Sequence, residues 1–136
     1  MTEPFPITIY HNPDCGTSRN ALAMIEAAGY HPRVIDYRAI GWTRPLLEAL
    51  LNALHTTPRS LLRDKGTPAA ELGLLDAAAS DEAILTAMLQ HPILVNRPIV
   101  VTPRGTKLCR PSEAVLDLLD RRPATFTKED GAVVPL

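Results

Sequence analysis

Cys15 is the residue with the most chemistry to offer. It lies in His11-Asn12-Pro13-Asp14-Cys15-Gly16-Thr17-Ser18-Arg19-Asn20, between a short apolar strand pattern, Ile7-Thr8-Ile9-Tyr10, and a helical pattern that ends at Gly29. The first N–H groups of a helix have no partner within it, and together with the macrodipole they favour negative charge at that end. A thiolate is such a charge, and so is an oxyanion bound beside it. A free thiol has a pKa of about 8.5, so only a few per cent is ionised at pH 7. Lowering that value by about two units takes roughly 2.7 kcal/mol of preference for the anion, whereas a helix N-terminus supplies about 0.3–2 kcal/mol. A second contributor is needed, and His11 and Arg19 are the nearby candidates. The alternative is a buried, inert structural cysteine, and local chemistry alone leaves both open.

Position 18 narrows the redox chemistry. Cys15-Gly16-Thr17-Ser18 is C-x-x-S, so the second thiol of a dithiol pair is missing, and serine cannot form a disulfide. A redox-active Cys15 must then be resolved from elsewhere, by Cys109 or by an external thiol such as glutathione. A phosphatase loop of the type C-x5-R is excluded, because the arginine follows the cysteine by four and position 21 is Ala.

A cysteine held in such a turn needs a strand, a helix and a sheet to fix it. Residues 7–10 alternate and are rich in β-branched side chains, as in a strand. Residues 18–28 read as a helix with Ala21, Leu22, Ile25 and Ala28 on one face and Gly29 as the residue that ends it. Thr17, Ser18 or Cys15 could stand at its start. Residues 32–37, with Val34 and Ile35, are a second strand, and this order suggests a right-handed strand-helix-strand unit with parallel strands. Residues 43–90 read as helical. Thr43 caps a helix with Leu46, Leu47, Leu50, Leu51 and Leu54 along one stripe. Thr57-Pro58 opens another through Leu61, Leu62 and Arg63, and Thr67-Pro68 begins a short helical turn ending near Gly73. Ser80-Asp81-Glu82 starts a fourth helix, with Ile84, Leu85, Met88 and Leu89 apolar and His91-Pro92 closing it. Residues 99–102 and 106–109 flank Pro103-Arg104-Gly105 as an antiparallel hairpin. Ser112 caps a last helix through Val115, Leu116 and Leu119. The tail from Arg121 is polar apart from Phe126 and is expected to dock loosely.

The resulting order is that of an α/β, thioredoxin-like fold: a four-stranded mixed sheet with an all-helical insertion between strands 2 and 3. A single domain over 1–136 is expected, with the insertion at about 43–91 and the tail at about 121–136. In that fold a reactive cysteine follows the first strand and a cis-proline lies just before the third. Pro98, ahead of Ile99, is placed for that role, since a cis Xaa-Pro bond costs only about 0.5–1 kcal/mol over trans. An ordinary trans proline opening a strand is the alternative.

The whole chain sets bounds on this chemistry. Its 136 residues suffice for one domain with a proper core. A formal net charge of −1 argues against a general nucleic-acid binder, while leaving room for a local basic pocket. Two cysteines are too few for a disulfide framework. Met1-Thr2-Glu3-Pro4 has neither the basic start nor the apolar run of a signal peptide, and no stretch approaches the length of a membrane span. A reducing, cytoplasmic setting and a monomer are the expectations. There is no Walker A motif, no G-x-G-x-x-G, no zinc spacing and no internal repeat, so no bound metal or cofactor is expected.

The chain resembles the arsenate reductases that depend on glutathione and glutaredoxin. The resemblance is carried by ITIYHNPDCGTSRN (7–20), LLR (61–63), ELGL (71–74), HPILVNRPIVVTP (91–103) and GTKLCRPSE (105–113), with FTKEDG (126–131) similar to the family's tail. It covers nearly the whole chain, and the middle motifs are highly specific. It implies that Cys15 is the nucleophile, that His11 matters for activity, and that Arg63, Arg97 and Arg110 line an oxyanion site. Without the resemblance those arginines would read as solvated surface residues. Once they are assigned, the physics agrees. Arsenate carries about one to two negative charges near pH 7, as a phosphate does. Guanidinium groups stay protonated and grip such oxygens in a fork, and they also stabilise a thiolate and the charge of its adduct.

The implied mechanism begins with attack of the Cys15 thiolate on arsenic(V), with an oxygen leaving as water. Glutathione then adds, glutaredoxin resolves the mixed species, and arsenic(III) left on Cys15 is hydrolysed to arsenite. The missing thiol at position 18 fits electrons that come from outside. Ser18 then donates a hydrogen bond to the sulfur or supports the helix start, and a protonated His11 near the sulfur would lower its pKa. Cys109 is read as structural. One rival reading is a thiol reductase of the same fold acting on another oxyanion. Another is a non-enzymatic regulator that binds RNA polymerase, although the superfamily members that sense oxidation carry C-x-x-C where this chain has C-x-x-S.

Overall fold

The computed structural model describes residues 5–122, 125–128, 131 and 133–135, and the chain divides into two compact units. One joins the segments up to Asp36 and from Arg97 onward; the other is Tyr37–Asn96. The second unit begins and ends further out than the expected 43–91.

In the first unit, β1 (Thr8–His11), β2 (Arg33–Asp36), β3 (Ile99–Thr102) and β4 (Gly105–Leu108) form a four-stranded sheet in the order β2-β1-β3-β4. β1 runs parallel to β2 and antiparallel to β3, and β3 is antiparallel to β4. This is the mixed sheet of a thioredoxin-like fold. Between β1 and β2 lies α1 (Gly16–Ala27), the crossover that a parallel pair requires. Its inner face is Ala21, Met24 and Ile25, all fully buried, with Leu22 and Ala28 half-buried beside them. They meet Ile7 and Ile9 of the β1 segment, Val100 of β3, and Val115, Leu116, Leu118 and Leu119 in one apolar core. Ile9 lies opposite Val100 in the ladder, so the period of two delivers both to the same face. Gly29, at φ +92°, ends α1 in the left-handed conformation that glycine adopts without strain.

Three local expectations are corrected. The last helix is a 3-10 helix, Ser112–Leu118, preceded by Pro111; Ser112 stands inside it and donates its hydroxyl to Glu113 Oε1 at 3.0 Å rather than capping the turn. The hairpin loop is only Pro103-Arg104, because Gly105 joins β4 opposite Thr102. Its φ of +143° suits glycine. Cys109 therefore falls just beyond the strand, with its N–H donating to Pro98 O at 2.9 Å.

The tail forms structure that the polar sequence concealed. β5 (Thr125–Thr127) pairs antiparallel with β6 (Val133–Pro135). Phe126 packs against the core, Lys128 makes an ion pair with Glu113, and the Arg121 guanidinium lies 4.5 Å over the Tyr30 ring. Residues 129 and 130 of the tail motif, and residues 1–4, lie outside the described residues.

The second unit is helical: α2 (Tyr37–Ile40), α3 (Arg44–Leu54), α4 (Pro58–Leu61) and α5 (Asp81–Gln90). Thr43, Thr57 and Ser80 cap α3, α4 and α5, each accepting from the backbone N–H three residues on. Leu47, Leu50 and Leu51 bury the α3 stripe, while Leu46 and Leu54 stay half-buried. The stretch after Thr67-Pro68 is a chain of turns, not a helix: the Thr67 hydroxyl donates back to Arg63 O at 2.6 Å and accepts from Ala69 N at 3.3 Å. The unit's two ends are tied together. Tyr37 stacks on Trp42 with centroids 5.0 Å apart, its hydroxyl donates to Val95 O, and Trp42 Nε1 donates to Pro92 O. No helix among the described residues is long and apolar enough to cross a membrane.

Candidate active site

Sheet register brings the site together. Tyr10, one residue before the end of β1, lies opposite Ile99 at the start of β3, and Ile99 lies opposite Leu108 at the end of β4. The loop after His11, the approach to β3 at Arg97 and the exit from β4 at Arg110 therefore share one end of the sheet. Arg97–Pro98 and Arg110–Pro111 are both cis peptide bonds.

Asn12 to Cys15 make the turn between β1 and α1. The Cys15 N–H donates to Asn12 O at 3.0 Å, and the Asp14 N–H donates to Asn12 Oδ1 at 2.9 Å. Asparagine followed by proline suits this geometry, since the amide oxygen imitates a backbone acceptor and proline presets φ. On the outside, Arg19 Nη1 donates to Pro13 O at 2.7 Å. Cys15 takes the N-cap position of α1 with extended dihedrals, φ −101° and ψ 119°. Its sulfur closes no formal cap hydrogen bond, yet it faces the Ser18 N–H of the first turn.

Around the half-buried sulfur the charges are cationic. Arg110 Nη1 donates to Cys15 Sγ at 3.6 Å and to Arg97 O at 2.8 Å. Burial pushes the Cys15 thiol up, but the Ser18 N–H and the Arg110 and Arg97 guanidinium groups together outweigh it, and the thiol is held below its ordinary value. The second contributor that α1 alone could not supply is thus a pair of arginines.

Ser18 is fully buried, and its hydroxyl joins strand, loop and helix. His11 Nδ1 lies 2.6 Å from Ser18 Oγ, and the Asn12 N–H donates to the same oxygen at 3.1 Å. The Ser18 group that reaches the sulfur is the backbone N–H. Arg63 belongs to the other compact unit, where its N–H donates to Leu94 O at 2.7 Å and its Nε to Lys65 O at 3.2 Å. Cys109 is wholly buried and its thiol is pushed up to about 12 by that burial, which makes it inert at neutral pH. Both cysteines are free. Among the described residues, no group of three or more His, Cys, Asp or Glu could hold a metal ion.

The sequence pattern assigned Asn12 no role, although it is 2 % exposed and its hydrogen bonds with Cys15, Asp14 and Ser18 lie within the turn or reach α1. The signal that could have found it is the Asn-Pro pair, which marks a turn.

The ArsC family matches residues 10–118. An arsenate reductase of Synechocystis sp. is 61% identical over 135 residues, covering 98% of this chain and 93% of its own length. An arsenate reductase of Escherichia coli is 55% identical over 129 residues, covering 94% of this chain and 92% of its own. Among solved structures, an arsenate reductase from Vibrio cholerae superposes with a TM-score of 0.80 at 38% identity, covering 86% of this chain and 100% of that one.

Proposed function

Since the chain belongs to the ArsC family, we propose that it is an arsenate reductase that draws its electrons from glutathione and glutaredoxin in the cytoplasm. The observation that carries this reading is Cys15 at the N-cap of α1 with Arg110 donating to its sulfur and the Arg97 guanidinium also favouring its thiolate. The same groups that favour a thiolate suit a tetrahedral oxyanion about to receive one.

Cys15 attacks arsenic(V); an arsenate oxygen takes up protons and leaves as water, giving a Cys15–S–As(V) adduct. Arg97 and Arg110 hold the remaining oxygens. Arg63 enters this proposal through its LLR motif alone. Glutathione displaces a second oxygen as water, forming an As–S bond. A glutaredoxin thiolate then attacks the glutathione sulfur. The As–S bond breaks, its electron pair stays on arsenic, and a mixed disulfide departs. The two thiols supply the two electrons, so Ser18 at the fourth position costs the cycle nothing. Water releases arsenite from Cys15 and restores the thiol.

The test is arsenate-dependent NADPH oxidation coupled through glutathione reductase, glutathione and glutaredoxin. Turnover that vanishes in Cys15→Ser is expected. A folded wild-type protein that shows none would reject arsenate as the substrate.

A further inference from the structure

We propose that the Asn12 side chain positions Cys15 for reaction, by holding the loop in the turn that sets the sulfur against the Ser18 N–H and the two guanidinium groups. The inference rests on Cys15 being the reacting thiol.

Three bonds converge on this residue. Its carbonyl accepts from the Cys15 N–H at 3.0 Å, its Oδ1 accepts from the Asp14 N–H at 2.9 Å, and its own N–H donates to Ser18 Oγ at 3.1 Å. The first and third are backbone groups that any residue would offer. The second belongs to asparagine, and it decides whether the turn keeps its shape. Without the amide oxygen, the Asp14 N–H loses this acceptor, and the turn between Pro13 and Cys15 is held less tightly. Cys15 is the next residue and the N-cap of α1, so a change in its dihedrals moves the sulfur directly. A sulfur displaced by about 1 Å loses much of an arginine contact that already stands at 3.6 Å. The loop's outer clamp, Arg19 on Pro13 O, cannot substitute, because it holds the residue before the freed amide. Asn12 is buried, so its side chain has no competing role as a solvated surface group.

The experiment measures the pH dependence of Cys15 alkylation by iodoacetamide, followed on the Cys15 peptide by mass spectrometry, for wild type, Asn12→Ala and Asn12→Ser. Serine can still accept from the N–H two residues on, though more weakly. The expected result is that Asn12→Ala raises the midpoint by about half a unit or more, slowing alkylation by about threefold at pH values well below the midpoint, and that Asn12→Ser restores most of the difference. An unchanged midpoint in Asn12→Ala, or a serine variant no better than alanine, would overturn the proposal. If Asn12→Ala does not fold, Asn12→Ser decides: a midpoint near wild type supports the proposal, and one as high as that of Arg110→Ala overturns it. A wild-type midpoint at the ordinary thiol value would instead count against Cys15 as the reacting group, so the two failures are distinct.

Discussion

At the scale of single residues, the site depends on which groups meet one sulfur. Arg110 donates to Cys15 directly, whereas the imidazole of His11 meets the hydroxyl of Ser18, which also holds the Asn12 N–H. Two predictions separate direct from relayed effects. Arg110→Ala should raise the midpoint of Cys15 alkylation by about one unit, the value of a lost charge-assisted bond. His11→Ala and Ser18→Ala should each raise it by less. The double variant should add little to either single one, because the two residues act through one contact. Fully additive His11 and Ser18 shifts would show that the imidazole reaches the thiol independently. Cys15 was legible in the sequence because a strand, a turn and a helix bracket it. That Arg97 and Arg110 would be its partners was not legible from local pattern. They lie 82 and 95 positions away in sequence and arrive through sheet register.

At the scale of elements, the strong local signals survived folding. Thr43, Thr57 and Ser80 each precede a helix and each accept from its first turn. Replacing Ser80 by Ala is expected to lower stability by about 1 kcal/mol, read from chemical denaturation. Weak signals failed for physical reasons. Thr67-Pro68 resembles a cap and first-turn pair, but the Thr67 hydroxyl bonds backward to Arg63 O and forward to Ala69 N, and no helix follows. The 3-10 helix at Ser112–Leu118 starts without the expected cap, because the Ser112 hydroxyl donates to Glu113 instead. The tail hairpin was missed because its strands are three residues each. Its anchor is Phe126 on the core, and Phe126→Ala should cost about 1–2 kcal/mol, less than the ~3–5 kcal/mol of a fully buried phenylalanine.

At the scale of the whole molecule, the order of elements could be read in advance because each connection obeys a short list of rules. The sheet places the Cys15 loop and two arginines at one end, and the apolar core in the first unit holds that sheet against α1. Global stability carries a marker of its own in Cys109. Burial raises this thiol to about 12, so the folded protein keeps a proton that the unfolded chain gives up near 8.5. Where the native state binds more protons, stability falls as pH rises. The contribution of Cys109 is therefore complete below about pH 8.5 and declines by up to about 1.4 kcal/mol per pH unit above it. Cys109→Ala should be less stable than wild type at pH 7, and the gap should narrow toward pH 11 in denaturant titrations. The proposed function requires that Cys15 react as a thiolate in an oxyanion site. Its most direct measurement is the alkylation rate of Cys15 against pH, with and without arsenate. The midpoint should lie below the free-thiol value of about 8.5, and alkylation should slow when arsenate is present. A midpoint at or above that value, with no protection by arsenate, would contradict it.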